Sequence, residues 1–253
     1  MKVIKAISIS DRKGVRKKNI EDVLLIEKSG LQDDAHAGDW HRQVSFLAQE
    51  SINFMREKGL DVVAGNFAEN ITTEGIDLIA LPVGTHIQIG PTELVISQLG
   101  KICHNRCAIY HQAGDCVMPR EGIFAIVLRG GRIKVGDTIT VMNKVSRSAA
   151  IIATKEDEEI SGNLIRDKIN EKLAPAFIRF DSLSNKQTTL DAILKDLTDT
   201  QHVDDIIIFD PSGVNGLALS SYEKVPGTNN YFLRDSSTIS YLRTINDFDD
   251  KAH

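Results

Sequence analysis

The segment Lys101–Cys116, KICHNRCAIYHQAGDC, holds all three cysteines of the 253-residue chain and two of its seven histidines. Cys103, Cys107 and Cys116 with His104 and His111 offer enough donors for zinc, but the paired CxxC and HxxxH spacings of zinc knuckles are missing. An odd thiol count in a long chain argues against a disulfide framework. Free cysteine also packs as a small hydrophobe, and Cys107 opens the apolar run Cys107-Ala108-Ile109-Tyr110. Cys103 differs, because Lys101, His104 and Arg106 surround it. Neighbouring cations favour the thiolate, which attacks electrophiles, carries sulfur or binds a soft metal. Cys103 is therefore the candidate reactive thiol. Cys116 ranks behind it, since the carboxylate of Asp115 disfavours its thiolate.

Other polar residues gather in loops that could face this thiol. GLQDDAHAGDWHRQVS, residues 30–45, brings Asp33, Asp34, His36, His41 and Arg42 ahead of an expected helix. GNFAENITTEG, residues 65–75, sets Glu69 and Asn70 in a glycine-bounded loop, and MPREGIFA carries Arg120 and Glu121 into a strand. Arginine and histidine near a helix start suit an anionic oxygen cluster such as phosphate.

The elements that must position these residues fall into two patterns. Over residues 1–144, KVIKAISIS, THIQIG, TELVISQL, GIFAIVL and DTITVM read as short strands divided by glycine and proline turns. One helix is expected there, with Ser45 as the cap of FLAQESINFMREK and Gly59 as the stop. That pattern predicts a mainly β, barrel-like domain. Over residues 147–253, AAIIAT, FIRFDSL and DDIIIFD read as buried strands. They alternate with helical patterns at 161–173, 188–197 and 236–247, which predicts a three-layer α/β domain on a parallel sheet. The polar stretch NKVSRS marks the boundary.

Composition bounds the partners. The net charge of −5 divides into +1 for residues 1–144 and −6 for the remainder. The basic run Arg12–Lys18 lacks aromatics and reads as a solvated loop, so nucleic acid is not an expected partner. No apolar run spans a bilayer and no signal peptide is evident, so a cytoplasmic, membrane-free protein is expected.

Taken in order, GLQDDAHAG…RQVS, GNFAENITTEGIDLIALPVGTHIQIG, KICHNRCAIY and MPREGIFAIVLRGGRIKVGD resemble the blocks of the MOSC domain, a family named for the C-terminal part of molybdenum cofactor sulfurases. The resemblance implies a β-barrel-like fold and the binding of a molybdenum–pterin cofactor or the handling of its sulfur; it gives no reason to expect pyridoxal phosphate. The family's signature cysteine falls on Cys103, a tentative molybdenum ligand, with Cys107 and Cys116 as alternative metal ligands. Its Asp-x-His falls on Asp34 and His36, its arginine on Arg42 and its Glu-Asn pair on Glu69 and Asn70. His104, Arg106, Arg120 and Glu121 complete the expected cofactor-binding set.

Residues 147–253 resemble a degenerate molybdopterin adenylyltransferase of the MogA/MoaB kind. AAIIAT…SGNLIRDKI matches its first strand and helix, DDIIIFDPSGVNG its phosphate-loop strand, and FLRDSSTISYLRTI a late helix start. The loop Asp210–Gly216 lacks the paired glycines that let backbone N–H groups approach phosphate. Adenylyl transfer is therefore not expected; weak pterin binding or subunit contacts are.

Three functions compete: cofactor or sulfur handling through Cys103, a molybdenum-dependent reductase of N-hydroxylated compounds fed by an external electron donor, and a scaffold for a molybdoenzyme client. The expected partners are molybdenum–pterin or a persulfide sulfur, such a client, and further copies of the chain in a homo-oligomer.

Overall fold

A computed structural model describes residues 1–100, 110, 114, 116–153, 166, 167, 169, 170, 175–182, 190–209, 222–224 and 230–233. The chain divides into two compact units, Met1–Ser146 and Arg147–His253.

The first unit is built on an eight-stranded sheet. In chain order its strands are β1 (Val3–Ile9), β2 (Lys18–Ile20), β5 (Val44–Ala48), β6 (Ile71–Glu74), β7 (Thr85–Ile89), β8 (Thr92–Leu99), β9 (Ile123–Arg129) and β11 (Ile139–Val145). They lie in the order β11-β7-β8-β9-β5-β6-β1-β2. Strands β3 (Asp22–Ile26), β4 (Gly30–Leu31) and β10 (Gly131–Lys134) form a second sheet in the order β10-β3-β4. The large sheet curls until its far strands meet. Val3 bridges Thr138, the amide of Ile4 donates to Asp137 O at 2.9 Å, and the amide of Ile139 donates to Lys2 O at 2.8 Å. Inside the curl packs a cluster that includes Ile7, Leu25, Phe46, Ile71, Ile87, Ile96 and Val127, all at most 1% exposed.

Strand β5 corrects the helix boundary expected from the sequence. Ser45 caps nothing. It lies within β5, and α1 begins four residues later, at Gln49–Glu57, with Ala48 before it and no side-chain cap. Phe46 and Leu47, expected on the helix, are strand residues with no exposed surface. The reason is tertiary. β5 lies between antiparallel β9 and parallel β6, which cover both its edges, and apolar clusters cover both its faces. Val44 and Phe46 enter the inner core, while Leu47 joins an outer cluster of Ile52, Met55, Phe67, Val117, Met118 and Phe124. Such a strand loses the alternation that marks a half-buried one. The short helix α2 (Met118–Glu121) precedes β9.

In the second unit, β12 (Ser148–Ala153) pairs in parallel with β13 (Phe177–Ser182) and with β14 (Asp205–Phe209). Strand β16 (Asn230–Leu233) runs parallel to β14 and antiparallel to β15 (Tyr222–Lys224). Helix α3 (Leu190–Lys195) continues into a π-helical turn, Asp196–Thr200. Ile193 and Leu197 pack there on Ala150, Ile152, Ile206 and Ile208. Arg147 closes the start of this sheet with a forked pair to Asp205, at 2.5 and 2.7 Å. The helix expected over 236–247 and the Asp210–Gly216 loop lie outside the described residues; so does most of 161–173, of which residues 166, 167, 169 and 170 are helical.

Candidate functional site

Three strands of the large sheet, and the residue that leads into a fourth, align one row of side chains. The amide of Asn70, just before β6, donates to Ser45 O on β5; Ser45 is paired with Phe124 on β9, and Phe124 with Gln98 on β8. The loop between β4 and β5 is tied along this row at three points. Asn70 Nδ2 donates to Asp34 Oδ2 at 2.9 Å, the Arg42 guanidinium stands 5.7 Å from the Phe124 ring centre, and His41 Nε2 is 2.9 Å from Gln98 Oε1. Gln98 Nε2 donates in turn to Gly100 O, 2.9 Å away, at the root of the thiol segment.

Asp34 is the centre of the loop's anchorage. Lys17 Nζ donates to both carboxylate oxygens, at 2.8 and 2.6 Å, and the amide of Ser10 donates to Oδ1 at 3.1 Å. The side chains of Asp34 and Lys17 are 0% and 1% exposed. Burial opposes ionisation of Asp34, but the polar contacts of His36, Lys17 and Asn70 and the lysine charge outweigh it. Its pKa is held well below the ordinary carboxylate range. Asp34 therefore has no surface to offer a ligand; it positions the loop.

Lys17 is the residue the sequence reading missed. The basic run was expected to be solvated, and Arg12, Lys13, Arg16 and Lys18 are indeed exposed, but Lys17 is buried. A lysine is almost never fully buried unless paired, and its partner lies seventeen positions away in sequence.

His36 and Arg42 are each partly buried. The His36 side chain is 27% exposed, with Nδ1 turned inward, 3.5 Å from Lys17 Nζ. Trp40 Nε1 donates to His36 O at 3.0 Å, and the Arg42 guanidinium stacks 4.8 Å from the Trp40 ring centre. A guanidinium over an aromatic face is attracted by the ring's quadrupole, and the Arg42 Nε lies buried.

The Glu69-Asn70 pair splits into two structural roles. Asn70 locks β6 to β5, with its Oδ1 accepting from the Ser45 hydroxyl at 2.9 Å. Glu69, with no exposed surface, accepts from the amides of Gly65 (2.6 Å) and Phe67 (3.1 Å) and from the Thr72 hydroxyl (3.0 Å). Burial pushes its pKa up despite these bonds. Glu69 shapes its own loop.

Arg120 and Glu121 lie on α2, with Arg120 Nη2 3.9 Å from Glu121 Oε1. Glu121 lines a cleft of about 360 Å³ with Glu50, Ser51, Asp77 and Ile79, beyond the other end of β5. Cys116 is 7% exposed and packs in the outer apolar cluster with Met55, Phe67 and Phe124. Cys103, His104, Arg106, Cys107 and His111 lie outside the described residues. Among the described residues, no three His, Cys, Asp or Glu side chains converge as metal ligands.

These positions can be set beside known proteins. Residues 33–140 match the model of the MOSC domain. The match spans the anchored loop, the Glu69-Asn70 loop, the thiol segment and α2. No curated protein matches the chain. Similar solved structures include the YuaD protein from Bacillus subtilis, with 20% identity and a TM-score of 0.47, covering 55% of this chain and 94% of that one. YiiM from Geobacillus stearothermophilus has 21% identity and a TM-score of 0.45, covering 56% and 76%. YiiM from Escherichia coli has 17% identity and a TM-score of 0.44, covering 58% and 72%. No helix among the described residues is long and apolar enough to cross a membrane.

Proposed function

We propose that this MOSC domain handles a molybdenum–pterin cofactor or its sulfur through Cys103, with the loop around Asp34 presenting cationic donors to the ligand's phosphate. The observation that carries the reading is the anchored row: an arginine stacked on Trp40 and Phe124 and a half-exposed histidine are held on a loop tied through His41 and Gln98 to the root of the thiol segment.

The donor set fits the cofactor in part. His36 and Arg42 suit an anionic phosphate, and the buried carboxylates Asp34 and Glu69 are withdrawn from it, so they add no repulsion at the surface. The soft ligand that molybdenum requires falls on Cys103. When bound, the cofactor supplies a redox-active metal and a site for terminal sulfur. This chain's own residues bind and orient: Arg42 and His36 by hydrogen bonding, Asp34 and Lys17 by fixing the loop. In sulfur handling, the Cys103 thiolate attacks the outer sulfur of a persulfide; the donor's S–S bond breaks, its thiolate leaves, and Cys103 keeps the sulfane sulfur as a persulfide.

The second unit, read as a degenerate molybdopterin adenylyltransferase domain, would add weak pterin binding or subunit contacts. The test is to purify the full chain from a host that makes the cofactor and to measure bound molybdenum, pterin and sulfane sulfur. Wild type should carry at least one of them, Cys103→Ala should lose metal and sulfur, and Arg42→Gln should lose pterin. Equal contents in all three proteins would reject the reading. Reduction of an N-hydroxylated compound by the loaded protein with a chemical reductant would favour the reductase alternative.

A further inference from the structure

His86 joins two residues that the anchored loop does not use. Its Nδ1 is 2.8 Å from Glu93 Oε1, and its Nε2 is 2.6 Å from the Ser146 hydroxyl. All three residues belong to the first unit. His86 pairs with Val95 and Glu93 with Gln88 across the β7–β8 hairpin, so the two side chains are diagonal neighbours on one face. Ile87, Ile89, Leu94 and Ile96 take the core face, which puts the histidine and the carboxylate on the other. Ser146 arrives from the end of β11. That strand shifts register between Val141 and Val145, and the Ser146 amide then donates to Gly84 O at 2.9 Å. Gly84 has a φ of +91°, and a Cβ there would strike the Ser146 carbonyl, so the close approach depends on glycine.

The direction of this hydrogen-bond chain follows from its carboxylate. Glu93 Oε2 is 3.3 Å from Arg129 Nη1, which leaves Oε1 to His86. The histidine bond above all lowers the Glu93 pKa, so the group is ionised at neutral pH and only accepts. Nδ1 therefore carries a proton, the neutral ring keeps its lone pair on Nε2, and that lone pair takes the Ser146 O–H. His86 is 1% exposed and Ser146 is partly exposed, so the base is shielded while the residue bearing the hydroxyl meets solvent. A hydroxyl on a base that a third group orients is the arrangement of an activated nucleophile.

We propose that Ser146, His86 and Glu93 form an acyl-transfer site for carboxylic esters, with Ser146 as nucleophile, His86 as general base and Glu93 as the positioning residue. Ser146 Oγ bonds to the acyl carbon while its proton passes to His86 Nε2; the ester C–O bond breaks, and the leaving oxygen takes that proton. Water then gives a proton to the same nitrogen and attacks the acyl carbon. The carboxylic acid leaves, and Oγ regains its hydrogen. This chemistry is separate from the thiol chemistry of Cys103.

The experiment uses the full chain and two probes: an alkyl fluorophosphonate, from which Oγ displaces fluoride, and 4-nitrophenyl acetate, from which it displaces nitrophenolate. Mass spectrometry should place one phosphonyl group, and transiently one acetyl group, on Ser146. Ser146→Ala should lose both adducts, and His86→Gln should form them about 100-fold more slowly, at the low end of what a general base contributes. Glu93→Gln should lower the labelling rate at saturating probe while thermal melting shows it folded; a strap that only joined β11 to β7 would leave that rate unmoved. Should His86→Gln fail to fold, Ser146→Ala and Glu93→Gln decide, since both change partly exposed residues. An unlabelled Ser146, or equal labelling rates in wild type and folded Glu93→Gln, overturns the inference.

Discussion

Lys17 Nζ contacts both oxygens of Asp34, at 2.6 and 2.8 Å, and neither side chain reaches water. Removing one member of a buried pair strands the other, at about 3–5 kcal/mol. Lys17→Ala and Asp34→Ala are each expected to lose stability in that range by urea denaturation. The double variant should lose much less than the two together, because it strands no charge. Additive losses would show that the pair is not coupled.

Asp34 and Glu69 should respond to acid in opposite directions. The folded-state pKa of Asp34 is below its unfolded value, so its stabilisation is complete at neutral pH and is lost as pH falls through and below the usual carboxylate range near 4. The folded-state pKa of Glu69 is raised, so its burial penalty is present at neutral pH and is relieved as protonation sets in. Urea midpoints measured down to about pH 3 should therefore fall less steeply in Asp34→Asn than in wild type. They should fall more steeply in Glu69→Gln, which lacks the compensating gain. Parallel curves for all three proteins would reject both assignments.

The strands that could be read from sequence are those bounded by turn residues. TELVISQL matches β8 and THIQIG exceeds β7 by one residue, Gly90, because the turn at Gly90-Pro91 bounds both strands of that hairpin. VSFLA was lost into the following helix because burial on both faces removes its period, and the parallel pairing with β6 that fixes it depends on residues more than twenty positions away. The same distinction runs through the site. Asp34, His36 and Arg42 were legible as a motif, and their order predicts one loop. That Asp34 is a hidden anchor, and that one lysine of a basic run turns inward to meet it, follows from a contact between distant segments that residue types alone do not carry.

Cys116 should behave as a core residue. It is 7% exposed among Met55, Phe67, Met118 and Phe124. Thiol titration of a Cys103→Ala/Cys107→Ala double variant should show no rapid reaction in the native protein and one thiol after unfolding. Cys116→Ala should lose only about 1 kcal/mol, since it removes a single buried atom. Rapid native labelling would place Cys116 among the reactive thiols after all.

Gly100 sets where the thiol segment leaves the barrel. Its φ is +68°, its amide donates to Gly122 O at 2.7 Å, and a Cβ added there would strike the carbonyl of Pro119. Two penalties therefore combine in Gly100→Ala: a left-handed backbone, about 1 kcal/mol or more for a residue with a side chain, and a collision with backbone. Gly59 separates them. Its φ is +88°, yet an added Cβ meets no described atom within 4 Å, so Gly59→Ala carries the backbone penalty alone. Thermal melts should show Gly100→Ala clearly less stable than Gly59→Ala. Because Gly100 O also receives the Gln98 side chain that holds His41, Gly100→Ala should further change the rate at which Cys103 is alkylated, whereas Gly59→Ala should leave that rate unaltered. Equal melting losses and equal alkylation rates would mean that the segment is not positioned from its root.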